Sequence, residues 1–445
     1  MPDAPPSEAT KARETFGSRF GSVMVLIGVA VGLANVWRFP YLAGKHGGAA
    51  FVLLYVALNF LFGIPAIMAE WTLGRLTRQG PAAAFVTAGM PGGRGIGFLL
   101  FFTVFMAMSY YVLIVGQVLF YALYSLLGFT VGPDPAAFYD SKLGGITSWN
   151  LAMTVVTFLG IGGVLYLGVR KGIESISRYA MPLVFVSLIA VVARSVTLPG
   201  AWEGIRFYLV PDLSKIDGPT ALAAMGQVFF SLSLGGTFFL LYGSYLRDDE
   251  NLPVTAFQTA FGDTSAALLA GLAVLPAVFA MGVEPTSGPS LLFVTLPGVF
   301  GAMPGGAFAG GLFFVAFFVA AFLSAVAGMQ VLVDAARHYF GWDRGRALVV
   351  LVGADLLLSL PSMASSDFLI WNDRVWGSTM QPVGSALTLI ALGWYVSRGR
   401  ALAEVNRGSS IRVGWLWIFW IRWVIPLSIA VILVYGWWGQ IRGEP

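Results

Sequence analysis

Gly28-Val-Ala-Val-Gly32-Leu-Ala-Asn35-Val-Trp-Arg38-Phe-Pro40 sits inside an apolar run that is otherwise long enough to cross a membrane. A membrane helix ordinarily avoids such a stretch, because lipid offers no partner to a freed backbone group, an amide or a guanidinium. A second one, Gln227-Val-Phe-Phe-Ser231-Leu-Ser233-Leu-Gly235-Gly236-Thr237, recurs five apolar segments later. Interrupted helices in matching positions of two halves point to a binding site near the bilayer midplane. Unwinding frees carbonyls for a cation, and the N-termini of half-helices can face an anionic group. Glycines alone also serve close helix packing; Asn35 and Arg38 in the same span argue for a site.

Working outward, apolar segments fall at about 21–43, 48–73, 97–128, 148–169, 175–196, 219–245, 254–283, 306–340, 345–361, 370–397 and 412–440. Stretches 129–147 and 197–218 are polar, and 285–304 is apolar with a re-entrant pattern. The expectation is an all-α polytopic membrane protein of about 11 transmembrane helices, two inverted five-helix repeats with helices one and six broken. Residues 1–18 form a cytoplasmic N-terminal segment without an apolar signal, 19–440 the transmembrane domain and 441–445 a short tail.

Only 11% of the 445 residues are charged and 57% are hydrophobic, against about 25% charged in soluble proteins. Lysines and arginines concentrate on one set of loops, among them Arg75, Arg78, Arg170, Lys171, Arg247, Arg344, Arg346, Arg398 and Arg400. The opposite set holds Lys45, Lys142, Arg206 and Lys215. Positive-inside bias therefore predicts a cytoplasmic N-terminus and an extracytoplasmic C-terminus. The net charge of +4 and the absence of a basic groove argue against a nucleic-acid partner. The chain has no cysteine and only His46 and His338, which excludes thiol chemistry and a histidine-rich metal centre. No phosphate-loop motif accompanies the spans, so an ATP-driven pump is excluded. A channel would need a continuous polar pore, and an enzyme a catalytic constellation; neither pattern is present.

The first motif, the run Gly226–Gly235 and the loop Gly288–Pro297 (GPSLLFVTLP) together resemble the neurotransmitter:sodium symporter family over nearly the whole chain. The resemblance implies a prokaryotic amino-acid transporter working by alternating access, not an enzyme, in the cell membrane, as a monomer or weak homodimer. Its cargo would include one or two sodium ions. The first would use the Ala30 carbonyl, Asn35, Ser231 and Asp263, with the substrate carboxylate completing the shell. Sodium is a hard cation that suits such oxygen ligands. The family often carries a neutral asparagine where Asp263 stands, so no chloride requirement is expected here. The second sodium would use carbonyls of Gly28, Val31 and Ala320 and the Ser324 hydroxyl, but Leu323 stands where a further hydroxyl or carboxyl is usual. That departure leaves room for a single-sodium or proton-coupled alternative.

Monoamine members place an aspartate at the position of Gly32, so the glycine implies a substrate that brings its own carboxylate. By the same resemblance Ala30, Gly32, Leu33, Ala34, Tyr111, Phe230, Ser231 and Ser324 contact the substrate backbone, and Ala107, Ser233, Gly236, Ala325 and Gly328 line its side-chain pocket. These are small, which predicts a large hydrophobic or aromatic amino acid, with an aliphatic one as the alternative. Arg38 and Asp373 would pair as the outer gate, and Arg13 with Ser244 and Tyr245 would form the inner one. The inner aspartate usual on span eight is replaced by His338, or by Asp334 one turn earlier. Glu70 reads equally as a buried structural carboxylate or an interfacial one.

Overall fold

The computed structural model describes residues 14–282, 291–303 and 305–441. Arg13 and the first residues of the 288–297 loop lie outside them. The described residues fold into an all-helical bundle, and the expected segments appear in order. By length and composition, helices Ala49–Thr77, Gly93–Leu126, Ser148–Tyr166, Val169–Ser195, Leu252–Ala280, Gly306–Phe340, Arg344–Ala364 and Trp415–Gly439 can each cross a membrane. These are spans two to five, seven to nine and eleven. Span one is the bent pair Arg19–Ala30 and Ala34–Lys45. Span six is the interrupted pair Gly218–Ser231 and Phe238–Gly243. Span ten runs from Ser366 to Tyr395 with wide π-type turns at Asp373–Met380 and Ala391–Tyr395.

Polar residues set where the apolar helices begin. The side chains of Ser18, Thr147, Asp217, Asn251 and Asp343 each accept from a backbone N–H in the first turn of the helix that follows, satisfying donors that would otherwise be orphaned. Two boundaries differ from expectation. Span four stops at Tyr166 and span five already starts at Val169, because Gly168 takes φ +90° and reverses the chain; only glycine does this without strain. The polar stretches are also not plain loops, since they hold the short helices Pro135–Lys142 and Ala201–Leu209.

Spans three and eight form the long central pair, and their facing sides carry the buried residues Ala107, Met108, Ser324 and Gly328. The outer surface is hydrocarbon: Leu159, Val186, Leu357, Val434 and Trp438 are exposed, as lipid-facing side chains are. Asn35, Gln227, Ser231 and Thr237 of the two interrupted helices are buried in protein, which is the condition for irregular backbone at membrane depth.

Candidate functional site

Span one is helical to Ala30; Val31 is extended at φ −73° and ψ 120°, and the two halves meet at 56°. The break is held by specific bonds. The Gly32 N–H donates to Asn35 Oδ1 at 3.0 Å, and the Leu33 N–H to the Tyr111 hydroxyl at 3.4 Å. A methyl on Gly32 would stand 2.6 Å from that hydroxyl, so span three closes on span one only because no side chain intervenes. In span six the chain leaves the helix after Ser231, with Ser233 at φ +51° and Gly236 at φ +64°. The freed Gly236 N–H donates to Glu70 Oε1 at 2.9 Å. Glu70 is fully buried, so of its two readings the structural one holds. Gln227 Nε2 donates to the Ala34 carbonyl at 3.0 Å and ties the two breaks together.

Asn35, Ser231 and Asp263 converge behind these breaks. Asp263 Oδ1 accepts from Asn35 Nδ2 at 2.6 Å and from Ser231 Oγ at 2.9 Å. Two residues of span two that sequence reasoning missed complete the cluster. The Tyr55 hydroxyl reaches Asp263 Oδ2 at 2.9 Å, and Asn59 Nδ2 reaches the same oxygen at 3.4 Å while bonding Thr264 at 2.7 Å. A signal existed: Tyr55 and Asn59 are one turn apart in an apolar span, where an amide is costly unless used. Asp263 is wholly buried, and among the described residues no lysine or arginine pairs with it. Neutral donors orient the carboxylate, and its oxygens with those of Asn35 and Ser231 are of the kind a hard cation prefers.

The second cation position is different. A methyl on Gly28 would lie 3.3 Å from Leu323 Cδ1 and 3.5 Å from Met181 Sδ, and Leu323 packs in one apolar cluster with Val31, Met181 and Ala320. The Ser324 hydroxyl points away from this cluster, toward the Val29 carbonyl at 3.4 Å and the side of Gly32. The expected oxygen set is thus not assembled: a leucine branch occupies one wall and the lone hydroxyl serves the other face. Leu323→Thr is expected to raise the Hill coefficient for sodium in substrate binding from near one towards two; two-sodium cooperativity in the unmodified protein contradicts this.

Between the two breaks and span three lies a cavity of about 40 Å³. Ala30, Gly32, Leu33, Ala34, Ala107, Tyr111, Phe230, Ser233 and Ser324 line it as expected, joined by Val104, Met108, Tyr110, Phe238 and Gln381. Four expected substrate residues do not line it, the first being Ser231, whose hydroxyl is turned to Asp263. Gly236 faces span ten, where a Cβ would collide with Thr388 and the Gly384 carbonyl. Ala325 is fully buried in the main core. The space beside Gly328 is filled, since a methyl there would lie 2.5 Å from Met108 Sδ and 3.1 Å from the Phe238 ring. Sequence reasoning had Gly236 enlarging the pocket; instead its positive φ and contact with span ten make Gly236→Ala a folding defect. The expected loss is more than about 1 kcal/mol, seen as a lowered Tm in detergent, and an unchanged Tm contradicts it.

Above the cavity the Arg38 guanidinium covers the Phe230 ring, 4.4 Å from its centroid. Arg38 and Asp373 do not reach ion-pair distance in this conformation, contrary to the expected pairing; Asp373 Oδ1 instead accepts from the Tyr110 hydroxyl at 2.7 Å. At the end of the bundle that carries the N-terminal residues, Phe16 is buried against Tyr242 and Tyr245, and its N–H donates to the Tyr245 carbonyl at 3.1 Å. The Tyr245 hydroxyl accepts from Gln330 Nε2 at 2.9 Å, and Gln330 Oε1 accepts from Arg344 at 3.0 Å. Gln330 and Phe16 were not anticipated. Asp334 and His338 line the same cavity as Tyr245 at this end.

Two interrupted helices that meet around a buried carboxylate, with a small cavity at their breaks, are the architecture of a secondary transporter. The chain belongs to the sodium:neurotransmitter symporter family, whose model matches residues 13–130 and 140–439. It is 34% identical to an uncharacterized sodium-dependent transporter of Haemophilus influenzae, over 95% of this chain and 98% of that protein. It is 32% identical to the uncharacterized sodium-dependent transporter YhdH of Bacillus subtilis, over 94% and 96%. The crystal structure of MhsT in complex with L-phenylalanine superimposes with a TM-score of 0.86 at 34% identity, covering 95% of this chain and 99% of that one.

Proposed function

We propose that the protein couples inward movement of sodium to uptake of a hydrophobic amino acid, with Asn35, Ser231 and Asp263 holding a sodium that also meets the substrate carboxylate. The observation that carries this is Asp263, a fully buried carboxylate surrounded by neutral donors and bonded to Asn35 and Ser231 of the two interrupted spans. The cavity's polar pole is formed by the Tyr111 hydroxyl, the N–H groups at the break of span one, and Gly32, where no protein carboxylate competes. Amides at the start of a half-helix favour an anionic group. The rest of the wall is Val104, Ala107, Met108, Phe230 and Phe238, which suits a side chain without charge.

A large or aromatic amino acid is favoured by the deformable Met108 beneath the cavity, since methionine repacks readily. The relative solved with L-phenylalanine supports the same reading. An aliphatic substrate is the second reading, favoured by the filled space at Gly328. The N-terminus is placed inside and the second sodium weakened or absent, with Leu323 as the cause. A competition panel of the twenty amino acids, with sodium and with sodium replaced by choline, tests the proposal. Tryptophan, phenylalanine or tyrosine should compete best and only with sodium; leucine or methionine leading selects the aliphatic reading. Competition indifferent to sodium overturns the coupling.

A further inference from the structure

Asp355 lies halfway along the 21-residue helix of span nine, on an inward face that repeats at three- and four-residue spacing through Leu348, Leu351, Asp355, Ser359 and Ser362. It is fully buried, and neither carboxyl oxygen has a hydrogen-bond partner. The contrast with Asp263 is direct: one carboxylate is oriented by several donors, the other by none. Ionisable groups on the helices packed against span nine include Tyr110 and Tyr111 of span three, Tyr166 of span four, and Asp334, Arg337 and His338 at the cytoplasmic end of span eight. None of them gives Asp355 a hydrogen bond or a counter-charge. An ionised carboxylate left unpaired in hydrocarbon is unfavourable.

The polar side of span nine then leads outward. Ser359 and Ser362 follow one and two turns beyond Asp355, both buried. Asn372, at the start of span ten, donates to Ser362 at 3.3 Å and to Ser109 of span three at 3.2 Å, and its own Oδ1 is unpartnered. The neighbouring residues on the same two helices, Tyr110 and Asp373, make the outer-gate bond. Asp355 thus lies two turns below this outer polar cluster, on the same inward face of span nine and without a hydrogen bond to it.

We propose that Asp355 is a proton-binding site of the transporter, loaded while spans three, nine and ten are packed together and open to outside water when span ten parts from them. The proton leaves to that water along Ser359 and Ser362 and returns when the seam closes. Loss of the proton leaves a carboxylate that needs hydration, so it favours the parted state; external acid favours the closed one. Substrate approaching from outside then binds more weakly as external pH falls, by at most tenfold per pH unit for one proton.

The test uses the full-length protein in liposomes. Its infrared difference spectrum between acid and alkaline buffer should show the C=O stretch of a protonated carboxyl, sensitive to D2O. The band should vanish in Asp355→Asn and move in Asp355→Glu, while persisting in Asp263→Asn. Asparagine mimics the neutral acid, so sodium-dependent substrate binding by Asp355→Asn should lose the acid-sensitive component and stay at the level the unmodified protein shows in acid. If Asp355→Asn fails to fold, the shift of the band in Asp355→Glu still decides. A band indifferent to both substitutions overturns the proposal, and so does a pH profile of Asp355→Asn superimposable on that of the unmodified protein. The infrared arm needs no substrate, so its failure is distinct from a failure of the transport reading on which the binding arm rests.

Discussion

Asp263→Ala is expected to abolish sodium-dependent substrate binding, with affinity falling by more than about a hundredfold. Removing one partner of a buried charge pair costs about 3–5 kcal/mol, and each 1.4 kcal/mol is tenfold. The loss should appear in both ligands, because a sodium that touches the substrate carboxylate couples the two reciprocally. Titration of sodium at fixed substrate, and of substrate at fixed sodium, checks this; a variant that loses only one of the two affinities contradicts the shared shell. Asp263→Asn separates charge from shape. Its amide can still meet Tyr55 and Ser231, which lie 2.9 Å from the native carboxylate oxygens, but the negative charge is gone. Uptake by the unmodified protein should be equal in chloride and gluconate, whereas Asp263→Asn should be impaired and partly restored by chloride. A chloride requirement in the unmodified protein contradicts the assignment.

Gly32→Asp should eliminate amino-acid uptake. The backbone at residue 32 approaches the Tyr111 hydroxyl so closely that even a methyl would stand 2.6 Å from it. An aspartate carboxylate must therefore displace Tyr111 and occupy the pole assigned to the substrate carboxylate. Like charges side by side repel, and the cavity offers no second cation among the residues lining it. The loss should be below detection for any zwitterionic amino acid and smaller for a decarboxylated analogue. Gly32→Ala isolates the steric part: it should weaken binding less than the aspartate. Equal effects of the two substitutions would mean that the pole is not where the substrate carboxylate sits.

The helical architecture was legible because lipid makes every span an apolar run and every interruption conspicuous. The 28–40 and 227–237 stretches announced themselves by glycines and polar groups that hydrocarbon does not tolerate. The cation cluster was legible in part: Asn35, Ser231 and Asp263 meet, but Tyr55 and Asn59 supply donors that only the packing of span two against span seven brings there. The pocket was the least legible. A glycine says that a side chain is missing, not which neighbour fills the room. At Gly328 Met108 and Phe238 fill it, and at Gly236 span ten does. The gate pair shows a related limit, since charges on two different spans need not touch: Tyr110 holds Asp373 while Arg38 lies over Phe230. Leu323 read as a missing oxygen ligand, and the structure adds which apolar neighbours it packs with, Val31, Met181 and Ala320.

Sodium-gradient-driven uptake into proteoliposomes tests the central claim most directly, with L-phenylalanine and its decarboxylated analogue phenethylamine compared at matched pH on both sides. Accumulation of L-phenylalanine against its gradient when sodium is high outside, none when choline replaces sodium, and no accumulation of phenethylamine is the predicted result. Uptake of L-phenylalanine that persists undiminished in choline, or phenethylamine accumulating equally well, would contradict the account.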